Sequence, residues 1–432
     1  MSLIHKDSCA CTQAELDLKS VPPTQTGIVK GHYVEHGPIA TLTDSGPIEF
    51  NITADGSEYL DFFNTYLYVA CKIVKADGTD LGNDANVGPC NLFLHSLFSQ
   101  VDLSLNDSLV TPSTSTYAYR AYLETLLSYG PAAKESQLTA ALWYKDTAGH
   151  MDALDDNEGL TKRKNHTNRS AVVEMTGKLH LDLFFQDRYI LNKVAAKLRL
   201  VRSKDAFCLM SDGTEYKVHL VDVALFVYKV NVNESIALQH AKLMERGNMN
   251  YPIRRVNTKV FTISRGDMTH TQENLFLGQL PKRIVLGCID NAAGNGSWKL
   301  NPFNFNHFNL NYLSLKVDGN PIPAKPLTPD FARNKYIRSF YSLFAGIGKA
   351  NSDEGNHISR DDYGKGYTLF AFDLTPDLQE DGFFEIVKRG TVRLEMHFAE
   401  PLPKTISVVV YAEFDNLLEI TRERSILFDY TA

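Results

Sequence analysis

The sharpest catalytic pattern in the chain is His180-Leu181-Asp182 with His219 further on, because a His-x-Asp and a distant His on a β scaffold can form the facial triad of an iron(II) oxygenase. Residues 178–185 (KLHLDLFF) alternate, which predicts a strand with Leu179, Leu181 and Leu183 on one face. His180 and Asp182 then point to the other face, away from the core that would house such a site. Gly346-Ile347-Gly348-Lys349 resembles a phosphate loop, but Leu343 and Ala350 stand where that loop needs Gly and Ser or Thr, so a helix end followed by a loop lysine is the better reading. Cys9-Ala-Cys11 has no second Cys or His pair at zinc spacing. Asp361-Asp362 lies in a charged loop and reads as solvated. No catalytic, cofactor-binding or metal residue is therefore assigned, no cofactor is expected, and the chain is read as a non-enzyme.

Composition narrows the classes further. A chain of 432 residues fits two β domains of about 200 residues each, and a 44% hydrophobic share is enough for a globular core in both. No run approaches the ~18 apolar residues of a membrane span, and the start MSLIHKDSCACTQ lacks the apolar stretch of a signal peptide. A protein made inside the cell and not secreted is expected, and Cys9, Cys11, Cys71, Cys90, Cys208 and Cys288 show no disulfide framework. The sequons at Asn51, Asn106, Asn165, Asn168, Asn233 and Asn295 are then read as turn chemistry. A net charge of −7 argues against sequence-specific nucleic-acid binding. The one basic cluster, Lys162, Arg163, Lys164 and Arg169, follows Asp152, Asp155, Asp156 and Glu158 and reads as a solvated loop.

The elements that would position any site come in two copies. Residues 101–110 (VDLSLNDSLV) and 313–322 (LSLKVDGNPI) alternate alike at an offset of 212 (315 − 103). Each leads to an aromatic helix-like segment ending in glycine, YRAYLETLLSYG at 119–130 and IRSFYSLFAGIG at 337–348, at an offset of 218 (338 − 120). KLRL at 197–200 matches TVRL at 391–394, FVY at 226–228 matches VVY at 409–411, and FNI at 50–52 is paired with FTI at 261–263. Asp-Gly turns at Asp55, Asp77, Asp212, Asp318 and Asp381 punctuate the strands, and Leu67, Val69, Cys71 and Ile73 mark a half-buried one.

The expected fold is all-β: two tandem eight-stranded jelly rolls with short helices in loops and at the linker. An extended arm over 1–45 precedes roll 1 at 46–233, and roll 2 with its linker helix fills 234–432. Asn233 caps the linker helix, Gly247 ends it, and a last strand is expected over 425–430. Long loops at 131–170 and 349–365 are expected to project. The aromatics of 301–313 (NPFNFNHFNLNYL) suit either the core or a subunit contact.

The stretches NLFLHSLFSQVDLSLND (91–107), YRAYLETLLSYG, LFAFDLTPD (369–377) and VVYAEFDNLLEI (409–420) resemble the major capsid protein of Polinton/Maverick elements and related adintoviruses. The resemblance covers about residues 46–432. It implies a structural capsid protein: a homotrimeric, pseudo-hexagonal capsomer that packs against neighbouring capsomers in an icosahedral shell, with a separate single jelly-roll penton protein at the vertices. It also implies residence in the virion after assembly inside the host cell, and no catalytic residues. The rival readings are a tandem jelly-roll carbohydrate-binding protein, which usually carries an acidic calcium loop, and a bicupin-type oxygenase.

Overall fold

The structure, a computed structural model, describes residues 7–8, 11, 13–53, 56–213, 215–376, 378 and 383–428. Cys9, Asp55, Asp377, Asp381 and Tyr430 from the patterns above lie outside the described residues. The first half contributes β1 (Ile28–His36), β2 (Ile48–Ile52), β3 (Glu58–Lys75), β4 (Val87–Pro89), β5 (Phe98–Leu105), β6 (Ser108–Leu109), β7 (Val173–Gly177), β8 (Ala196–Arg202), β9 (Leu209–Ser211) and β10 (Tyr216–Val232). The second half contributes β11 (Met249–Ile263), β12 (Thr269–Gln279), β13 (Arg283–Asp290), β14 (Leu310–Val317), β15 (Asn320–Leu327), β16 (Leu369–Asp373), β17 (Arg389–Phe398), β18 (Ile406–Ile420) and β19 (Ile426–Phe428).

The sheets run β1-β10-β3-β7 and β2-β8-β5-β6 in the first half, and β11-β18-β13-β16 and β12-β17-β14-β15 in the second. With the small β4-β9 ribbon and β19 set aside, the strand order is the same in both halves. The first strand pairs the eighth, which pairs the third, which pairs the sixth; the second pairs the seventh, which pairs the fourth, which pairs the fifth. That is a jelly roll twice over.

Most of the sequence matches fall on equivalent strands: Leu103 on β5 and Leu315 on β14, Leu198 on β8 and Val392 on β17, Tyr228 on β10 and Tyr411 on β18. One does not. Phe50 lies on β2 opposite Leu198, whereas Phe261 lies on β11 opposite Val408, so FNI and FTI belong to the second strand of one roll and the first of the other. Three residues of apolar-polar-apolar alternation fit any half-buried strand and do not fix which one.

The segment expected as an extended arm is also corrected. Its residues Ile28–His36 form β1, paired antiparallel to β10 along its length. Val29, Lys30, Gly31, Tyr33 and Glu35 of β1 are exposed, so this edge strand lacks a clean apolar face and its periodicity does not show in the sequence. The two helix-ending glycines differ as well. Gly348 adopts φ +72 and Lys349 N–H donates to Phe344 O at 2.9 Å, closing the helix Ile337–Gly346 with a left-handed cap. Gly130 instead has φ −78 and precedes the short helix Pro131–Glu135. The linker helix spans Glu234–Met244, with the Asn233 side chain accepting from Ser235 N–H and Gly247 N–H donating to Leu243 O.

Cys71, Cys90, Cys208 and Cys288 are buried free thiols, and Cys11 is exposed. Burial pushes Cys71, Cys208 and Cys288 up to about 12, so they stay protonated and pack as small apolar groups.

Gly346 lets the helix Ile337–Gly346 lie directly on β16: a Cβ there would sit 2.6 Å from the Ala371 carbonyl carbon and 2.7 Å from its oxygen, both backbone atoms. Gly346→Val is expected to lower stability by about 1–3 kcal/mol, read as an earlier urea midpoint. Superimposable denaturation curves would show that the helix does not need this close approach.

Candidate functional site

The chain's most concentrated buried chemistry lies where roll 2 meets roll 1. The helix Tyr117–Ser128 is apolar almost all round, with Arg120 and Glu124 one turn apart, and every residue from Tyr117 to Leu127 is buried. A helix without a solvated face must be covered on all sides. Its outer side is covered by β11 and β18.

Charge is then forced into that contact. Arg120 Nε meets Glu124 Oε1 at 3.0 Å, and its terminal nitrogen meets Asp182 Oδ1 at 2.7 Å. His180 Nδ1 lies 2.6 Å from Glu124 Oε2. From roll 2, the Tyr411 hydroxyl donates to Glu413 Oε1 at 2.8 Å and reaches Glu124 Oε1 at 3.3 Å, and Val256 N–H donates to Asp182 Oδ1 at 3.2 Å. Arg254 lies 3.5 Å from Glu413.

Two opposed effects set the protonation states. Burial alone would raise the Glu124 carboxyl, but Arg120 and the His180 hydrogen bond outweigh it and hold Glu124 well below the usual carboxylate range. For Asp182 burial wins over Arg120 and the carboxyl is raised, with Glu124 adding repulsion. Burial, and next to it His180, keeps His95 well below its usual value, and its Nδ1 shares a 2.9 Å hydrogen bond with Tyr117.

This geometry overturns the strand expected over residues 178–185. Asp182–Phe185 is a 3-10 turn preceded by loop, and His180 and Asp182 are buried together with Leu179, Leu181 and Leu183. His180 is buried within roll 1 against His95, Tyr117 and Glu124, and Asp182 where β11 of roll 2 lies on it. His219 is elsewhere, exposed on β10 and 2.9 Å from Asp44, so the structure does not bring the oxygenase-like trio together. Among the described residues no group of three His, Cys, Asp or Glu is placed to hold a metal ion.

The long loops form the second part of the seam. Arg163, read in the sequence as solvated, is fully buried on the helix Glu158–Thr167. It donates to Pro89 O at 2.8 Å and Tyr144 O at 2.6 Å and pairs with Asp146 at 2.6 Å. Asp146 in turn accepts from Asn301 Nδ2 of roll 2 at 3.0 Å. Lys145 pairs with Asp362 at 2.7 Å and donates to His357 O at 2.6 Å. Asp362 is thus not merely solvated; it also completes a capping box with Ser359. Two lysines close the C-terminal turn of the helix Tyr117–Ser128: Lys134 on Leu126 O at 2.6 Å and Lys349, from the phosphate-loop-like motif, on Ser128 O at 2.6 Å. Burial, aided by Lys145 and Lys349, pulls Lys134 down to about 7. The loops expected to project therefore touch one another through Lys134, Lys145 and Gly149, while Asn351–Gly355 and much of the remainder stay exposed.

The aromatic segment 301–313 belongs to the same seam. Phe303 stacks on Tyr122 at 4.2 Å and 4° between planes, and Phe303 and Phe305 are buried within the chain. These carboxylates and cations are held by fixed partners, an arrangement suited to locking two domains rather than to turning over a substrate. The Arg120-Glu124 half of the lock went unread in the sequence. Its signal was a charged pair at i and i+4 inside an otherwise apolar helix.

No family profile matches the chain. It is 28% identical over 425 residues to an uncharacterized protein of Caenorhabditis elegans, covering 95% of this chain and 99% of that one. Solved structures of like fold include a chain of the Sputnik virophage, with TM-score 0.61, 12% identity and coverage of 100% of this chain and 94% of the other. The Faustovirus major capsid protein follows at TM-score 0.58, 10% identity and 94% and 92% coverage. The mavirus major capsid protein stands at 0.53, 11% identity and 100% and 97% coverage. At these identities the likeness establishes the fold: a double jelly roll over the whole chain.

Removing one member of the buried cluster leaves its partners charged and desolvated. Arg120→Met is expected to cost about 3–5 kcal/mol in chemical denaturation, while joint replacement of Arg120, Glu124 and Asp182 by apolar residues of matched volume costs far less. His95 and Glu124 bind protons more weakly folded than unfolded, so their contribution is present above their ordinary values of 6.5 and 4.5 and is lost as pH falls below each. Asp182, with a raised pKa, runs the opposite way. The melting temperature should begin to fall below about pH 6.5 through His95, joined by His36, His240, His307 and His357, which burial lowers as well; a flat profile down to about pH 5 would show that none of them, His95 included, is held neutral.

Proposed function

We propose that the chain is the major capsid protein of a Polinton/Maverick or adintovirus-like element. Three chains form a pseudo-hexagonal capsomer, capsomers tile an icosahedral shell, and a separate single jelly-roll penton protein occupies the vertices. Assembly inside the host cell places the chain in the virion, where it acts as a structural protein and not as an enzyme. The arm before β1 contacts neighbouring capsomers or the inner shell.

One observation carries this reading: the described residues form two rolls of identical strand order, fixed to each other by a buried seam. Two similar towers per chain become six around a threefold axis, a hexagonal outline that packs in a lattice. The likeness to viral major capsid proteins of this fold runs along nearly the full chain and supports the same reading.

Light scattering of the purified chain should give a particle of about three times its 48.4 kDa mass, hexagonal in negative stain. A stable monomer at high concentration, with no hexagonal particles, would sink the proposal.

A further inference from the structure

The internal repeat is broken at one place: a contact made between the two rolls within the chain has an equivalent at either end of the chain that is left open. Inside the chain, the helix Tyr117–Ser128 of roll 1 packs against the outer face of β11 and β18. Every residue of β18 from Ile406 to Phe414 is buried, core-facing and outward-facing alike. Its equivalent in roll 1, β10, alternates: Val227 and Leu225 are buried, whereas Phe226 and Tyr228 on the outer face are partly exposed.

The residues left open are the equivalents of those in the lock. Tyr411, which reaches Glu124, corresponds to Tyr228 at an offset of 183 (411 − 228). Thr258, the β11 partner of Tyr411, corresponds to Tyr33, the β1 partner of Tyr228. Tyr33 is 49% exposed, and its ring lies 4.9 Å from Tyr228 and 5.4 Å from Tyr66, which stacks on Phe226 at 5.0 Å. Gly31 allows this, since the Tyr228 ring lies where a Cβ would be. The outer face of this sheet is thus a half-exposed aromatic ladder.

The other open end is the helix of roll 2. At the offset of 218, Tyr119, Arg120, Leu123 and Glu124 correspond to Ile337, Arg338, Tyr341 and Ser342. The first four are buried against roll 2 or the core; Ile337 is 50% exposed and Tyr341 57% exposed. Within the helix Ile337–Gly346 only Ser339, Leu343 and Gly346 are buried.

We infer that a second copy of this chain fills both openings: the helix Ile337–Gly346 of one copy docks on the Tyr33-Tyr66-Phe226-Tyr228 ladder of the next. The contact repeats between chains the contact that the helix Tyr117–Ser128 makes with β11 and β18 within one. It rests on the capsomer reading and adds to it which surfaces meet and in what sense. The two surfaces differ, so the association is head-to-tail, and the capsomer reading requires that it close after three copies. Its chemistry also differs from the lock inside the chain. Ser342 replaces Glu124 and Arg338, in the place of Arg120, donates to the Lys325 and Pro326 carbonyls of its own chain, so the inter-chain contact is mainly aromatic and has no buried carboxylate facing Tyr228.

Ile337→Glu with Tyr341→Glu blocks the helix, and Tyr33→Asp blocks the ladder; all three side chains are about half exposed in the single chain, so folding should be kept, checked by circular dichroism. In light scattering each variant is expected to run as a folded monomer where the wild type forms trimers, with association weakened at least about 30-fold. Mixed one to one, the two variants retain one good surface each and should form a two-chain particle and no larger one. Wild-type trimers together with trimeric variants overturn the inferred contact alone, whereas a monomeric wild type overturns the capsomer reading and this contact with it. If the glutamates unfold the helix, Ile337→Ala with Tyr341→Ala serves in their place, and undiminished association of that variant also counts against the contact.

Discussion

A jelly roll presses one face of each sheet against the other and leaves two outer faces to be covered or solvated. In this chain the outer face of β11 and β18 is given up to a neighbour, and most of the structure follows from that constraint. It makes β18 apolar or engaged at every position from Ile406 to Phe414, and it removes the solvated side of the helix Tyr117–Ser128. It also draws parts of two long loops inward, so that Arg163, Asp146 and Lys134 become internal groups and Lys145 is half-buried.

The buried charges are the costly part of that arrangement. Desolvating Arg120, Glu124 and Asp182 opposes folding, and their mutual attraction offsets part of that cost together with hydrogen bonds from His180 to Glu124 and from Val256 to Asp182, while Asp182 Oδ2 is left buried without one. Apolar side chains could hold the rolls together without them. What a directional network adds is a single register: Tyr411 reaches Glu124, and Val256 reaches Asp182, only when the two rolls sit at one angle.

The fold was legible because strands repeat with period two and the chain writes the pattern twice. The offsets at β5 and β14, at the two helices and at β10 and β18 were enough to pair the rolls. What could not be read were features whose cause lies far along the chain, in the other roll or in a distant loop of the same roll. His180 and Asp182 alternate with leucines as a surface strand would, and nothing local says that the helix Tyr117–Ser128 lies against His180 or β11 against Asp182. Lys162, Arg163 and Lys164 look alike in sequence, yet Arg163 alone has Pro89, Tyr144 and Asp146 waiting around it. β1 was hidden for the converse reason: an edge strand with one face open keeps exposed residues at positions where a core strand would not.

The reach of the Tyr411-Glu124 contact has a consequence for how the protein is made. Glu124 and Tyr411 are 287 residues apart. At about 5–20 residues added per second, the helix Tyr117–Ser128 leaves the ribosome roughly 15–60 s before the strand that covers it exists. During that interval roll 1 can close its own sandwich and pair Arg120 with Glu124 and Asp182, yet the side of the helix that β18 will cover still faces solvent. The order of synthesis therefore leaves the nascent first half with an apolar surface open to unwanted contacts until β18 arrives.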